Sequence, residues 1–278
     1  VTLHGTTKVC AVWGWPVKHS ASPAMHNAAF QALELDYVYV PFAVAPDDLK
    51  AAVAGVRALG LVGVNVTVPH KEKVGEFLDG LTERAARLGA VNTLFWNDGQ
   101  LWGDSTDGPG FLEALPSSPE PGSEAVVLGA GGSARAVVDA LVQSGVRVSI
   151  ANRTLARAEE LAERFGAHAV LPLEETPLRT ALKSASLLVN TTSIGMYPND
   201  SDCPPLTDDS FHRGLSVMDL IYNPRQTQLL RRANRWGCDT QNGLEMLVQQ
   251  GAISFRRWTG YDPPTEIMRK AVQLQYQR

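Results

Sequence analysis

Lys71 closes the stretch Asn65-Val66-Thr67-Val68-Pro69-His70-Lys71, and Asp107 sits inside Gly103-Asp104-Ser105-Thr106-Asp107-Gly108. An ammonium and a carboxylate are the ingredients of general acid–base work, in which one positioned group moves a proton and the other orients or receives it. Neutral polar residues accompany them. In residues 61–68 the two-residue period of a strand puts Val62, Val64, Val66 and Val68 on one face and Leu61, Gly63, Asn65 and Thr67 on the other. Buried amides and hydroxyls need partners, because each one left unpaired costs about 1 to 3 kcal/mol. A polar ligand is one such partner. Pro69 suits the first position of a helix whose apolar stripe would be Val74, Leu78, Leu81, Ala85 and Leu88. Lys71 falls on that stripe and is expected to point inward. Asp107 precedes a glycine and a helical segment, where capping alone is a competing explanation.

A second constellation points to a nucleotide. Gly129-x-Gly131-x-x-Ala134 follows the apolar run 125–128 and precedes an amphipathic segment carrying Val137, Ala140 and Leu141. This is the strand, turn and helix of a dinucleotide fingerprint, so Gly129, Ala130, Gly131, Gly132, Ser133 and Ala134 are the candidate phosphate cradle. An acid at the end of the next strand would select the ribose hydroxyl of NAD. Here that strand, 147–151, is followed by Asn152-Arg153-Thr154, with Arg157 one helical turn later. Two guanidiniums and two neutral donors suit a phosphomonoester, which a carboxylate would repel. NADP is therefore the expected cofactor. Pairing of Arg153 and Arg157 with Glu160 or Glu163 is compatible with that role.

The elements that must position these groups alternate. Strands are expected at 9–13, 37–44 and 61–68, with helices at 23–33 and 47–59 between them. The turn Asn97-Asp98-Gly99 leads into a short strand through Trp102. After the proline-rich connection 116–124 (PSSPEPGSE) come strand 125–128, helix 134–144 ended by Gly145, and strand 147–151. Strands separated by helices of this length imply parallel sheets covered on both faces, hence two α/β units.

Composition narrows the partners. A chain of 278 residues, 44% of them hydrophobic, is expected to form about two domains. A formal net charge of −4 argues against nucleic acid as a partner. Cys10, Cys203 and Cys238 are odd in number and show no C-x-x-C spacing, which fits a reducing compartment; the histidines form no H-E-x-x-H, and no metal is expected. No stretch approaches 18 apolar residues and no leader pattern opens the sequence, so a cytoplasmic protein with no membrane partner is the expectation.

These motifs, taken in order with Trp13 through Asn27 (WGWPVKHSASPAMHN), Gly89-Ala90-Val91-Asn92-Thr93 and residues 242–251 (NGLEMLVQQG), resemble the shikimate dehydrogenase family over nearly the whole chain. The resemblance implies an NADPH-linked, reversible reduction of 3-dehydroshikimate to shikimate in aromatic amino acid biosynthesis. It implies that Ser20 and Ser22 hold the ring carboxylate, that Asn65, Thr67, Asn92, Asp107 and Gln250 surround the hydroxyls, and that Tyr222 approaches from the nucleotide domain. Lys71 and Asp107 would be the catalytic pair, and Thr191, Met196 and Gly243 would join the cofactor site. The implied fold is two α/β domains with the active site in the cleft between them. A substrate-binding domain with a mainly parallel sheet, 1–108, is completed by helices in 243–278, and a Rossmann-like NADP-binding domain spans 109–242. A monomer or homodimer is expected. Two positions depart from the family: Ser105, where asparagine is frequent, and Trp15, where a small polar residue is. Lysine keeps its proton at neutral pH, which suits an acid in ketone reduction. In the reverse direction two assignments stay open: Lys71 as base, or Lys71 polarising the oxygen while Asp107 or a water carries the proton. A quinate or aminoshikimate dehydrogenase and a catalytically silent NADP-sensing module are the alternatives.

Overall fold

The computed structural model describes residues 2–276. The elements run β1 (Lys8–Gly14), α1 (Ser22–Ala32), β2 (Tyr37–Ala43), α2 (Leu49–Leu59), β3 (Gly63–Val66), β4 (Gly80–Leu81), α3 (Glu83–Leu88), β5 (Thr93–Asn97), β6 (Gln100–Asp104) and α4 (Asp107–Ala114). They continue with β7 (Glu124–Leu128), α5 (Gly132–Gln143), β8 (Arg147–Asn152), α6 (Leu155–Phe165), β9 (Ala169–Pro172), α7 (Glu175–Leu182), β10 (Leu187–Asn190), β11 (Ser216–Asp219), α8 (Gln228–Arg235), β12 (Asp239–Asn242), α9 (Leu244–Thr259) and α10 (Thr265–Gln275). Two units form: one holds the chain up to Thr106 and again from Val248, the other is Asp107–Leu247.

The first unit is built on a sheet of order β2-β1-β3-β5-β6-β4. Its β1–β2, β1–β3 and β4–β6 pairings are parallel, whereas β5 runs antiparallel to both β3 and β6. The β5–β6 pairing follows from the hairpin at Asp98 (φ 48°) and Gly99 (φ 78°), the two positive-φ residues that a tight turn between twisted strands demands. One sheet face packs Ala11, Trp13, Val64, Val66 and Leu94 against Leu49, Val53 and Val56, the four- and three-residue steps of α2. Across β3, a Cβ on Gly63 would lie 2.0 Å from the Trp258 ring, so only glycine lets α9 lie on this strand. The Trp258 indole then donates to the carbonyl of Leu94 at 2.9 Å.

The single helix expected after Pro69 does not form. A turn, a 3-10 segment at Val74–Phe77, the two-residue strand β4 and the short helix α3 replace it. Gly75 and Gly80 weaken a continuous helix, and Thr82 starts a new one by accepting the N–H of Ala85. Asp79 meanwhile takes the N–H of Leu101 and the Arg57 guanidinium, which holds this stretch on the sheet edge. The apolar stripe was real, since Val74, Ala85 and Leu88 are buried, but turns rather than one helix present it to the core.

The second unit is a six-stranded parallel sheet of order β12-β11-β10-β7-β8-β9. Its strand order reverses at β7, the strand that feeds the glycine turn, which is the doubly wound arrangement of nucleotide-binding folds. Gly145 adopts φ 80° after α5, the left-handed residue that ends the helix. Residues 116–124 lie within this unit as the connection from α4 to β7.

Candidate active site

A buried, directed hydrogen-bond network dominates the first unit. Asn65 and Asn92 are 6% and 3% exposed and Thr93 not at all. The Tyr39 hydroxyl donates to Asn65 Oδ1 at 2.8 Å, and Asn65 Nδ2 donates to Thr93 Oγ1 (3.1 Å), Ser254 Oγ (3.0 Å) and the Asn92 carbonyl (3.2 Å). Thr93 Oγ1 donates on to Asn92 Oδ1 at 2.9 Å, which also accepts the N–H of Thr106 at 2.8 Å. Asn92 Nδ2 turns to Thr106 Oγ1 at 2.9 Å and Gln250 Oε1 at 3.4 Å. The partners that the polar side of β3 requires are thus largely protein groups. Because both N–H groups of Asn65 are committed, it can meet a ligand only as an acceptor at Oδ1.

Ser20 and Ser22 reach this network from the start of α1. Ser20 Oγ accepts the N–H of Ser22 at 3.3 Å, and the Ser22 hydroxyl bonds to Tyr39. Burial pushes the Tyr39 phenol well above its ordinary value, with the neighbouring Cys10 thiol acting in the same direction, so it stays a neutral donor. Thr67 is half-buried, its N–H on the Trp13 carbonyl at 2.8 Å. Trp15 is 51% exposed, so this departure lies at the surface, whereas Ser105 is buried.

Lys71 is half-buried, and its carbonyl accepts the N–H of Val91 at 2.8 Å. The helix phase that suggested an inward direction has no helix beneath it; the backbone bond to the Gly89–Thr93 stretch, together with buried His70 bonded to the Val44 carbonyl at 2.8 Å, sets its place instead. Asp107 is the first residue of α4, next in the chain to Thr106 of the network. Just upstream, buried Asp104 binds Arg84 and Arg257 at 2.5 and 2.8 Å. Burial opposes its charge, yet the bonds from Arg84 and Thr82 and the Arg84 and Arg257 charges hold its carboxyl below the usual range.

In the second unit Gly129 adopts φ 106°, a conformation other side chains rarely take. A Cβ at Gly131 or Gly132 would meet nothing within 4 Å, so space lies open beside the first N–H groups of α5. Such a helix start favours phosphate. Ala130, Ser133 and Ala134 complete the turn, with Ala134 fully buried against the sheet. Asn152 Nδ2 donates to the Thr154 carbonyl at 2.9 Å, and Arg153 and Thr154 are exposed just past the end of β8, as is Arg157 in the first turn of α6. This donor set, cationic and without an acid, fits the extra phosphate of NADP. Thr191 Oγ1 donates to the Leu128 carbonyl beside the glycine turn at 2.7 Å, Met196 is 46% exposed and Tyr222 is half-buried. Gly243 has a packing reason of its own: a Cβ there would sit 1.9 Å from the Leu220 carbonyl oxygen. Tyr39 and Ser254 escaped sequence reasoning, although Ser254 lies four residues after Gln250 on the same helical face. Among the described residues no group of three or more His, Cys, Asp or Glu side chains could hold a metal ion, and no helix is long and apolar enough to cross a membrane.

A doubly wound nucleotide-binding unit in one chain with an α/β unit that carries a buried polar network defines a Rossmann-type protein of the dinucleotide-dependent kind. Family models for the shikimate dehydrogenase substrate-binding domain (residues 12–94), shikimate/quinate 5-dehydrogenase (119–200) and the shikimate 5′-dehydrogenase C-terminal domain (243–273) match in order. The chain is 47% identical over 281 residues to shikimate dehydrogenase (NADP(+)) of Methanopyrus kandleri, covering 98% of this chain and 97% of that one. It superposes on the shikimate 5-dehydrogenase of Thermus thermophilus, solved with NADP(H) and shikimate, with TM-score 0.86 and 42% identity over 96% of this chain and 99% of the other. The Listeria monocytogenes enzyme, solved with shikimate and NAD, gives TM-score 0.92 and 36% identity over 96% and 97%. The chain belongs to the shikimate dehydrogenase family.

Proposed function

We propose that this chain is an NADP-dependent shikimate dehydrogenase that interconverts 3-dehydroshikimate and shikimate, a cytoplasmic enzyme of aromatic amino acid biosynthesis acting as a monomer or homodimer. The observation that carries the cofactor is the exposed Arg153 and Arg157 with Asn152 and Thr154, and no carboxylate, where β8 passes into α6. Arg153 and Arg157 would clamp the 2′-phosphate, the turn from Gly129 to Ala134 would receive the pyrophosphate, and Thr191, Met196 and Gly243 would border the rest. When bound, the coenzyme supplies the hydride and leaves the carbonyl oxygen to be protonated.

That proton is the task of the chain's own residues. Lys71 donates to the ketone oxygen in reduction and, in the reverse direction, takes the proton back or polarises the oxygen while Asp107 or a water receives it. Ser20 and Ser22 bind the ring carboxylate. Asn65, through Oδ1, with Thr67, Asn92 and Gln250, orients the hydroxyls; the network fixes these amides before the substrate arrives, which lowers the ordering cost of binding. Tyr222 would also touch the substrate. The testing experiment follows absorbance at 340 nm with shikimate and NADP+, repeated with quinate and with NAD+. Turnover preferring shikimate and NADP+ is expected; preference for quinate, or no turnover at all, overturns the assignment.

A further inference from the structure

The C-terminal ends of the parallel strands in the second unit carry one group that the chemistry above leaves unused. Asp219 ends β11, in register with Asn190 at the end of β10 and with Asn242 at the end of β12. It is fully buried. Its Oδ1 accepts from Asn190 Nδ2 at 3.0 Å and from the N–H of Ile221 at 3.1 Å; its Oδ2 accepts from Thr227 Oγ1 at 2.7 Å. Burial pushes the acid up to about 6 in spite of these three donors, so at neutral pH it is the acceptor they require.

Each donor leads to a different segment of the nucleotide end of the sheet. Asn190 Oδ1 holds both the N–H and the hydroxyl of Thr192, at 3.1 and 2.7 Å, and Thr192 Oγ1 in turn accepts the N–H of Ile194 at 3.1 Å. That is the loop carrying Thr191 and Met196. The bond to Ile221 fixes the residue before Tyr222, and the Ile221 carbonyl accepts the N–H of Gly243 at 3.2 Å. Thr227 caps α8 by accepting the N–H of Leu230 at 3.3 Å. The two loops also meet directly, the N–H of Tyr197 donating to the Asn223 carbonyl at 3.3 Å. Ligands of open parallel sheets bind at this end, so one carboxylate ties together the segments that would touch the coenzyme and the substrate.

We infer that Asp219 is a positioning residue, holding the 191–196 loop and Tyr222 in the arrangement that receives the coenzyme, a role that rests on the NADP-dependent reading above. Its readout is coenzyme binding itself. In Asp219→Asn one oxygen becomes an amide nitrogen that faces a donor, so the folded variant is expected to bind NADP+ about tenfold more weakly by titration calorimetry, with kcat for shikimate oxidation lowered as well. Thr227→Val is expected to weaken NADP+ binding in the same direction, and Thr227→Ser, which keeps the hydroxyl, to restore it. A folded Asp219→Asn protein with wild-type affinity and turnover overturns the inference. If Asp219→Asn does not fold, the Thr227 pair decides: wild-type NADP+ affinity in Thr227→Val overturns it, and weakened affinity restored by serine supports it. Failure of the wild-type chain to bind NADP+ and oxidise shikimate would instead sink the functional reading, a result separable from any variant.

Discussion

The Lys71 carbonyl accepts the N–H of Val91 at 2.8 Å, and the next residue, Asn92, holds the N–H of Thr106 at the same distance. One backbone bond and one bond to the Asn92 side-chain oxygen therefore link the lysine of one motif to the residue before Asp107 of another, far along the chain. Because neither bond uses the Lys71 side chain, Lys71→Ala removes the ammonium and leaves the backbone register intact. A group acting only on the transferred proton should change kcat and not ground-state binding. Lys71→Ala is expected to lower kcat by about 10²- to 10⁴-fold with the shikimate KM nearly unchanged. Steady-state rates at 340 nm check this, and wild-type turnover would remove the role.

Arg153 is exposed at the end of β8, where it can serve the coenzyme without supporting the core. Arg153→Ala is expected to raise the KM for NADP+ by about tenfold or more and to leave that for NAD+ almost unaltered, since only the former carries the extra phosphate. Parallel kinetics with both coenzymes decide it. Equal losses would mean that this arginine serves something other than the 2′-phosphate.

The glycine turn and the basic end of β8 were legible in the sequence because both are local: a few residues of fixed spacing determine a backbone shape and a charge. The segment after Pro69 was not. Its apolar spacing matches a helix, but Gly75, Gly80 and the Thr82 cap divide it, and the deciding bonds of Asp79 to Arg57 and Leu101 come from distant residues. The antiparallel place of β5 was likewise invisible to a rule that reads alternating strands and helices as parallel. Tyr39, Ser254 and Asp219 were missed for one shared reason: their roles lie in buried bonds between segments that a linear reading cannot pair.

Gly243 offers a sharp steric test, since the position allows no side chain. A Cβ would lie 1.9 Å from the Leu220 carbonyl oxygen and 2.4 Å from its carbon, both backbone atoms that cannot swing aside as a side chain could. Gly243→Ala is expected to destabilise the second unit by about 3 kcal/mol or more by forcing residues 220–222 from their place. Urea unfolding checks it; a wild-type midpoint would show that the chain relaxes freely there.

His26 sets the acid limit of the first unit. Its ring is fully buried, stacks on Tyr39 at 4.4 Å with an 11° interplanar angle, and neither nitrogen has a hydrogen-bond partner among the described residues. Burial lowers its pKa from 6.5 to about 3. The unfolded chain therefore takes up a proton near pH 6.5 that the folded chain refuses until about pH 3. The stabilisation is complete above pH 6.5 and is lost as pH falls toward 3, with a slope approaching about 1.4 kcal/mol per pH unit. Asp219, raised from 3.8 to about 6, behaves oppositely: its contribution is full below 3.8 and lost as pH rises through 6. The two groups belong to different units, and fluorescence separates them, because Trp13, Trp15, Trp96, Trp102 and Trp258 lie in the first unit and only Trp236 in the second. Urea unfolding followed by tryptophan emission is expected to show the wild type losing stability between pH 7 and pH 5, and His26→Leu, which cannot titrate, losing markedly less. An equal loss in both proteins would place the acid sensitivity elsewhere.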